Sequence, residues 1–308
     1  MMGSRKSVWQ VVKPPLVIFF SILTFSTSAS SEEGGELLLP FEQMMQSMPN
    51  LIQVMVGFDS ERSQTFSADA DLRLPNEYRL LIGVGSNTSD LDGDELKTGT
   101  FRLGVSSDPI NEYQGTLSFE DWGVKGEIKR QRWAATVARW GQNWNLQGTT
   151  TYRQIHLITD HPSVQGVDVE VHSPAAGFSI QYGGWGKWNI RLSGEKYWYS
   201  VDTAVLLDSR INQFFSAETL TLSSSFLKYN GAAEIGYQFK KLYFGVEGSQ
   251  NKSAIDDTRS VTGTLLFSID LPKGIGLQLQ GGRTVFPDTP DSSDVTFAQA
   301  GFSFSWSQ

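Results

Sequence analysis

The sequence predicts an all-β fold: a transmembrane, antiparallel up-and-down β-barrel of about fourteen strands, within roughly twelve to sixteen. Three observations predict it. From residue 51 onward, apolar residues recur on every second position. The positions between them carry charge in mid-strand, which suits a polar interior. The alternating stretches also follow one another in series without evident Greek-key crossovers, and up-and-down closure removes the open edges that hydrocarbon cannot tolerate.

Bulk composition conceals this pattern. With 19% charged residues and a mean hydropathy of −0.24, the 308-residue chain would pass for a soluble protein. Beyond the N-terminus nothing approaches the ~18 continuous apolar residues of a membrane helix. Barrel strands alternate, so their apolar half averages out in any hydropathy window. The absence of cysteine excludes disulfide frameworks and thiolate metal sites.

Residues 1–30 form a targeting segment. Arg5, Lys6 and Lys13 precede or flank the apolar run from Pro15 to Phe25, and small residues follow near Ala29 and Ser30. This is the layout of a Sec-type signal peptide, removed on export. Its removal subtracts three basic and no acidic residues, taking the formal net charge from −8 to −11. Such a balance argues against a nucleic-acid partner, which needs a basic footprint. Residues 31–50 form a periplasmic N-terminal segment. Leu38, Phe41, Met44, Met45 and Met48 recur at spacings of three and four, so a short helix, or a plug entering the barrel, is one reading of it.

The barrel is assigned to residues 51–308. Ile52, Val54, Val56 and Phe58 open the alternation, and Phe66 to Leu74 continue it against Ser67, Asp69, Asp71 and Arg73. The same grammar returns in Tyr78–Val84, Phe101–Val105, Tyr113–Phe119 and Trp188–Leu192, then in Ile235–Phe239, Leu242–Val246, Val261–Ile269 and Leu277–Leu279. Tight connections are expected at LPNE, SDPIN, YNG, FKK and LPKG, and longer polar ones at SNTSDLDGDELK, NKSAIDDTR and FPDTPDSSD. Short turns on the periplasmic rim and long loops on the other are the habit of such barrels. The middle is harder to parse. KGEIKRQRWAATVARW reads either as one long strand or as a hairpin turning at Gln131–Arg132. Counting back from the C-terminus puts the long segments around residues 160–174 and 200–215 on the periplasmic rim, against that habit.

Soluble sandwiches alternate too, so the surroundings of the pattern decide. Tyr78, Trp133, Trp140, Trp144, Trp188, Trp198, Phe286 and Trp306 lie near strand ends on the apolar faces, as interface girdles do. The C-terminal ribbon is more specific. Gln299, Gly301, Phe304 and Trp306 stand at the positions of a polar residue, a glycine two on, then hydrophobic residues three and five beyond the glycine. This pattern resembles the assembly signal of bacterial outer-membrane β-barrel proteins, although Ser307 and Gln308 follow the terminal aromatic. The resemblance implies a porin-like architecture, localisation to the outer membrane, and recognition by the barrel-assembly machinery. Outer-membrane lipid and lipopolysaccharide become the expected surroundings, and a homo-oligomer is compatible with them.

Chemistry is expected inside. Asp69, Asp71, Glu127, Glu195, Glu234 and Glu247, against Arg73, Arg102, Lys125, Lys129 and Arg191, are assigned to the inner face. Nine of these are the pore-lining candidates: Asp69, Asp71, Arg73, Arg102, Glu127, Arg191, Glu195, Glu234 and Glu247. Opposed signs would set a transverse field favouring small polar solutes, or would pair and close the lumen. Catalytic signatures are not evident. His161 and His172 fall in expected loops and His156 in an expected strand, none within a recognisable hydrolase motif, leaving an outer-membrane hydrolase using His156 or His161 as the distant enzyme reading. The acidic DLDGDE run (Asp90 to Glu95) lacks a complete calcium-loop spacing and reads as a solvated loop. No metal site or cofactor is expected.

Overall fold

The computed structural model describes residues 49–60, 62–75, 77–91, 94–110, 112–124, 128–141, 143–157, 169–183, 187–200, 226–255, 257–288 and 294–306. The targeting and N-terminal readings, including the proposed plug, fall on residues 1–48, outside that range.

Fourteen antiparallel strands pair in chain order and close on themselves. They are β1 (Asn50–Asp59), β2 (Gln64–Leu74), β3 (Tyr78–Leu91), β4 (Asp94–Ser107), β5 (Tyr113–Val124), β6 (Ile128–Trp140) and β7 (Trp144–Leu157). There follow β8 (Val169–Tyr182), β9 (Trp188–Tyr197), β10 (Leu227–Phe239), β11 (Leu242–Ser253), β12 (Arg259–Leu271), β13 (Ile275–Val285) and β14 (Val295–Trp306). The expected strand number is met. Closure joins β1 to β14 from Asn50↔Trp306 to Asp59↔Phe297, so both edges that hydrocarbon would punish are paired.

Alternation sets the two faces. Ile52, Val54, Val56 and Phe58, the outward stripe of β1, are all exposed, as are Phe302 and Phe304 on β14. Leu117 and Leu265 are 68% and 67% exposed in mid-strand, a placement that water would penalise and acyl chains favour. Aromatics bracket this belt. Tyr78, Tyr113, Tyr182, Trp188 and Phe239 stand outward at one rim. Near the other, Phe119, Trp133 and Tyr152 run across three strands, with ring centroids 5.4 and 6.0 Å apart. From Trp188 to Trp198 is roughly 33 Å of chain, which at a tilt of about 40° gives a band about 25 Å tall, the height of an outer-membrane apolar belt.

One rim carries both ends of the barrel and the connections around 75–77, 108–112, 141–143, 183–187, 240–241 and 272–274. The last shows how tightly these are made. Lys273 and Gly274 both take positive φ, and a Cβ at Gly274 would stand 2.0 Å from the Ser305 carbonyl oxygen. The other rim carries the long connections 158–168, 198–226 and 286–294.

This corrects the rim assignment made from sequence for the two central loops. The cause is YNG. Tyr229, Asn230 and Gly231 lie inside β10, paired with Lys196, Glu195 and Gly194 on one side and with Lys252, Asn251 and Gln250 on the other. Two-sided pairing overrides the local turn preference of Asn-Gly. Reading it as a turn inverts every rim before it. Of the two readings of KGEIKRQRWAATVARW the single strand holds, with Gln131 and Arg132 lying within β6. One further correction follows from the pairing. The DLDGDE run closes a tight β3–β4 hairpin, with Asp90↔Glu95 and Leu91↔Asp94 paired, so SNTSDLDGDELK is mostly strand.

Candidate functional site

Fourteen strands about 4.8 Å apart and tilted about 40° enclose a cylinder roughly 28 Å across between backbones. Side chains from opposite walls cannot bridge that width. Polar groups on the inner face therefore find partners along the wall, on strands one to three positions away.

One inward row crosses seven strands. Asp69, Gly83, Arg102, Glu120, Arg132, Arg153 and Ser173 are successive facing partners on β2 to β8. Gly83 is bare for a reason. Arg102 reaches over it to Asp69 at 2.8 Å, and a Cβ there would meet Asp69 Oδ1 at 2.4 Å and Arg102 Nε at 2.9 Å. Glu120 accepts from Arg130, the next inward residue of β6. Arg132 lies 3.7 Å from Glu195 and donates a long bond to Thr151 Oγ1. Glu195 also accepts from Thr151 Oγ1 at 2.8 Å and from the Tyr197 hydroxyl.

Arg153 is different. It is 2% exposed and, among the described residues, no carboxylate lies within ion-pair distance of it. Its guanidinium carbon sits 3.8 Å from the centre of the Tyr197 ring, and one Nη donates to Tyr199 Oη at 2.9 Å and Ser173 Oγ at 3.2 Å. Its Nε, like those of Arg102 and Arg130, has no hydrogen-bond partner.

A second group occupies β9 to β11. Arg191 faces Glu234, which faces Glu247, and the Arg191 guanidinium bonds both carboxylates, Glu247 at 3.1 Å. Tyr243 donates to Glu234 and accepts from Asn189 Nδ2 at 3.3 Å. Towards the turn rim, Arg79 donates to Asp71 at 2.7 Å and to the Pro49 carbonyl at 3.0 Å, and Arg73 pairs with Asp108 at 2.9 Å.

The inner face turns apolar near the loop rim. Val124, Ile128, Ile155 and Val171 point inward from β5 to β8 and pack with Phe226 and Ile255, which enter from beside β10 and from the β11–β12 loop. Trp122 and Tyr199 pack against this cluster. The Ala254 N–H donates to the Phe226 carbonyl at 2.7 Å and ties the two incoming segments together. Outside, at the same rim, Asp257 accepts from Lys228 at 2.9 Å and lies 3.1 Å from Lys252, and Arg259 clasps Asp288 at 2.7 and 2.9 Å. These cationic donors hold both aspartates below the usual carboxylate range.

Eight of the nine candidates from sequence therefore face the interior: Asp69, Asp71, Arg73, Arg102, Arg191, Glu195, Glu234 and Glu247. Glu127 and Lys125 lie outside the described residues. Lys129 is corrected: β6 starts with Ile128 buried inward, so Lys129 points outward, 3.5 Å from Asp121. Trp140 is corrected for the same parity. It shares the inward face with Ala134 and Ala138, and its indole N–H donates to Gln114 Oε1 at 3.1 Å. The transverse field is replaced by pairing along the wall. Sequence reading missed Arg79, Glu120, Arg130, Arg132 and Arg153. Each continues an inward series such as Thr149, Thr151, Arg153, and parity alone would have found them.

His172 lies within β8 instead of a loop, and faces outward. Its Nδ1 is 2.6 Å from Tyr152 Oη and its Nε2 3.3 Å from Glu170. The Ser200 hydroxyl accepts from the His172 backbone N–H and leaves the ring alone. His156 is also on the outer side, opposite Glu170, while His161 is outside the described residues. No cluster of metal-ligating side chains occurs among the described residues.

The four residues of the C-terminal pattern divide between the faces. Gln299 points inward and bonds Gln280, and Gly301 admits Met55, whose Cγ would be 3.1 Å from a Cβ there. Phe304 and Trp306 point outward and stack at 5.6 Å.

Closed topology, an outward apolar belt and a polar interior define an outer-membrane-type β-barrel of porin-like architecture. No family model matches the chain, and no curated protein matches it. Solved structures with a similar fold include CdiB from Acinetobacter baumannii, at 10% identity and a TM-score of 0.50, covering 83% of this chain and 60% of that one. The outer membrane protein OpdK from Pseudomonas aeruginosa is similar at 11% identity and a TM-score of 0.41, over 84% of this chain and 99% of its own. The KdgM porin is similar at 10% identity and a TM-score of 0.42, over 83% and 99%.

Proposed function

We propose that this protein is an outer-membrane channel through which small polar solutes diffuse passively. The observation that carries this reading is the mid-barrel wall. Its charged and amide groups pair with neighbours along the wall, leaving a backbone circumference wider than the roughly eight strands whose side chains fill an interior. Asp69, Asp71, Arg73, Arg102, Arg191, Glu195, Glu234 and Glu247 are the lining residues of that pathway. The surroundings are lipid and lipopolysaccharide, reached by Sec-type export and insertion through the assembly machinery acting on Gln299, Gly301, Phe304 and Trp306. Nucleic acid has no part in it.

Planar-bilayer recording tests the proposal. Folded protein is expected to give stepwise, ohmic currents, and bilayers that remain silent after verified insertion would eliminate it. The apolar cluster around Phe226 and Ile255 favours a second reading, a closed barrel acting as a structural or interaction component of an envelope or exopolysaccharide-export assembly. Silent bilayers together with a stable co-purifying partner would support that reading instead.

A further inference from the structure

We infer that the wall between Arg132, Arg153 and the apolar cluster at the loop rim is a binding site for a carboxylate carrying a short apolar tail. The inference rests on the channel reading for its access route and gives that route a ligand class.

Three features point to an anion. Arg132 and Arg153 are directly facing partners on β6 and β7, and like charges in that position repel. Arg153 is buried without a carboxylate, and an uncompensated buried cation costs several kcal/mol. Its Nε–H is left without an acceptor, as are those of Arg102 and Arg130, but those two arginines reach Asp69 and Glu120 through other nitrogens whereas Arg153 reaches no carboxylate. The ring of Tyr197 offsets part of the cost through cation–π attraction, but a ring face cannot accept the in-plane Nε–H. One carboxylate between Arg132 and Arg153 would answer all three, because its two oxygens match guanidinium donors in fork geometry.

The tail follows from what stands above. The next inward tier towards the loop rim is Trp122, Arg130, Ile155 and Val171 as facing partners, with Arg130 occupied by Glu120. Above that come Val124 and Ile128, covered by Phe226 and Ile255. Within two tiers the wall passes from guanidinium to hydrocarbon. A ligand matching that gradient presents its carboxylate to Arg132 and Arg153 and its alkyl end to the mouth. A bare inorganic anion would leave the apolar tier unused, and a neutral alcohol would leave the guanidinium groups unanswered.

The experiment uses the purified full chain in detergent micelles, titrated with sodium hexanoate while tryptophan fluorescence is followed. Acetate, hexanol and hexylammonium serve as parallel probes. Hexanoate is expected to give a saturable change that disappears in Trp122→Phe and weakens about tenfold or more in Arg153→Met and Arg132→Met, the loss of a charge-assisted bond. Heat-modifiable gel mobility reports whether each variant has folded. Should Arg153→Met fail there, Arg132→Met, on the more exposed side of the pair, carries the comparison. Equal saturation by hexanol or hexylammonium would overturn the anion site, as would unchanged hexanoate affinity in the folded variants. Acetate binding as tightly as hexanoate would overturn the apolar half. Binding is read without any current, so silent bilayers with intact hexanoate binding sink the channel alone, and current without binding sinks this site alone.

Discussion

Tyr243 on β11 lies over Gly236 on β10, so closely that a Cβ at Gly236 would stand 2.0 Å from the phenol oxygen. The bare glycine lets the ring lie down along the wall and aim its hydroxyl at Glu234. Gly236→Ala is therefore expected to push the ring off and destabilise the barrel by about 1–3 kcal/mol, the usual cost of overpacking. Tyr243→Phe keeps the ring and loses the bonds to Glu234 and Asn189, at about 1 kcal/mol each. Urea unfolding in lipid vesicles, followed by gel mobility, measures both. A neutral Gly236→Ala would mean that the ring does not rest there.

Arg191 holds two carboxylates, Glu234 almost wholly buried and Glu247 a quarter exposed. Removing the cation strands both acids, so Arg191→Met is expected to cost about 3–5 kcal/mol. Glu247→Gln leaves Arg191 with its buried partner and keeps the shape, and should cost below about 1 kcal/mol. The difference between the two, read in the same urea titrations, is the check. Equal costs would show that Glu247 is the principal partner.

Leu265 separates a membrane barrel from a soluble one. It stands outward in mid-strand on β12, at the height where the apolar belt meets acyl chains. Leu265→Arg is expected to destabilise the folded state in a bilayer by about 2–4 kcal/mol, while Gln250→Arg, near the loop rim, should cost about 0–1 kcal/mol. A water-facing surface would be indifferent to both. Equal, negligible effects would remove the lipid belt.

How much of this was legible beforehand depends on which physical constraint wrote each feature. Hydrocarbon favours apolar side chains along the outward stripe, so Ile52, Val54, Val56 and Phe58, and the ribbon ending at Trp306, declared themselves and pointed to about fourteen strands. Asn230–Gly231 misled because turn preference is local, whereas their strand state is imposed by β9 and β11, the first separated from β10 by a long connection. Lys129 and Trp140 were misplaced because inward parity in β6 follows from its start at Ile128, which the lysine- and arginine-rich stretch disguises. The pairing of Arg132 with Glu195 depends on curvature and stagger across several strands. The Phe226 and Ile255 contacts depend on where two connections fold. Neither leaves a periodic trace.

The loop rim supplies a pH dependence with a definite sign. Asp257, beside Lys228 and Lys252, and Asp288, clasped by Arg259, titrate below the usual carboxylate range because cationic donors favour their ionised forms. A carboxylate depressed on folding contributes stability that is fully present above its unfolded value and is lost as pH falls through its folded one. The β11–β12 and β13–β14 connections should therefore hold from neutral pH down to the ordinary aspartate range, and loosen only below it. Hydrogen exchange, corrected for the intrinsic rate at each pH, reports this locally. The Arg259 N–H, which donates to Asp288 at 3.1 Å, is expected to lose protection in acid while the mid-barrel ladders keep theirs. In Asp257→Asn with Asp288→Asn the acid-induced change at this rim should vanish. Persistence of the same change in that double variant would assign it to other groups.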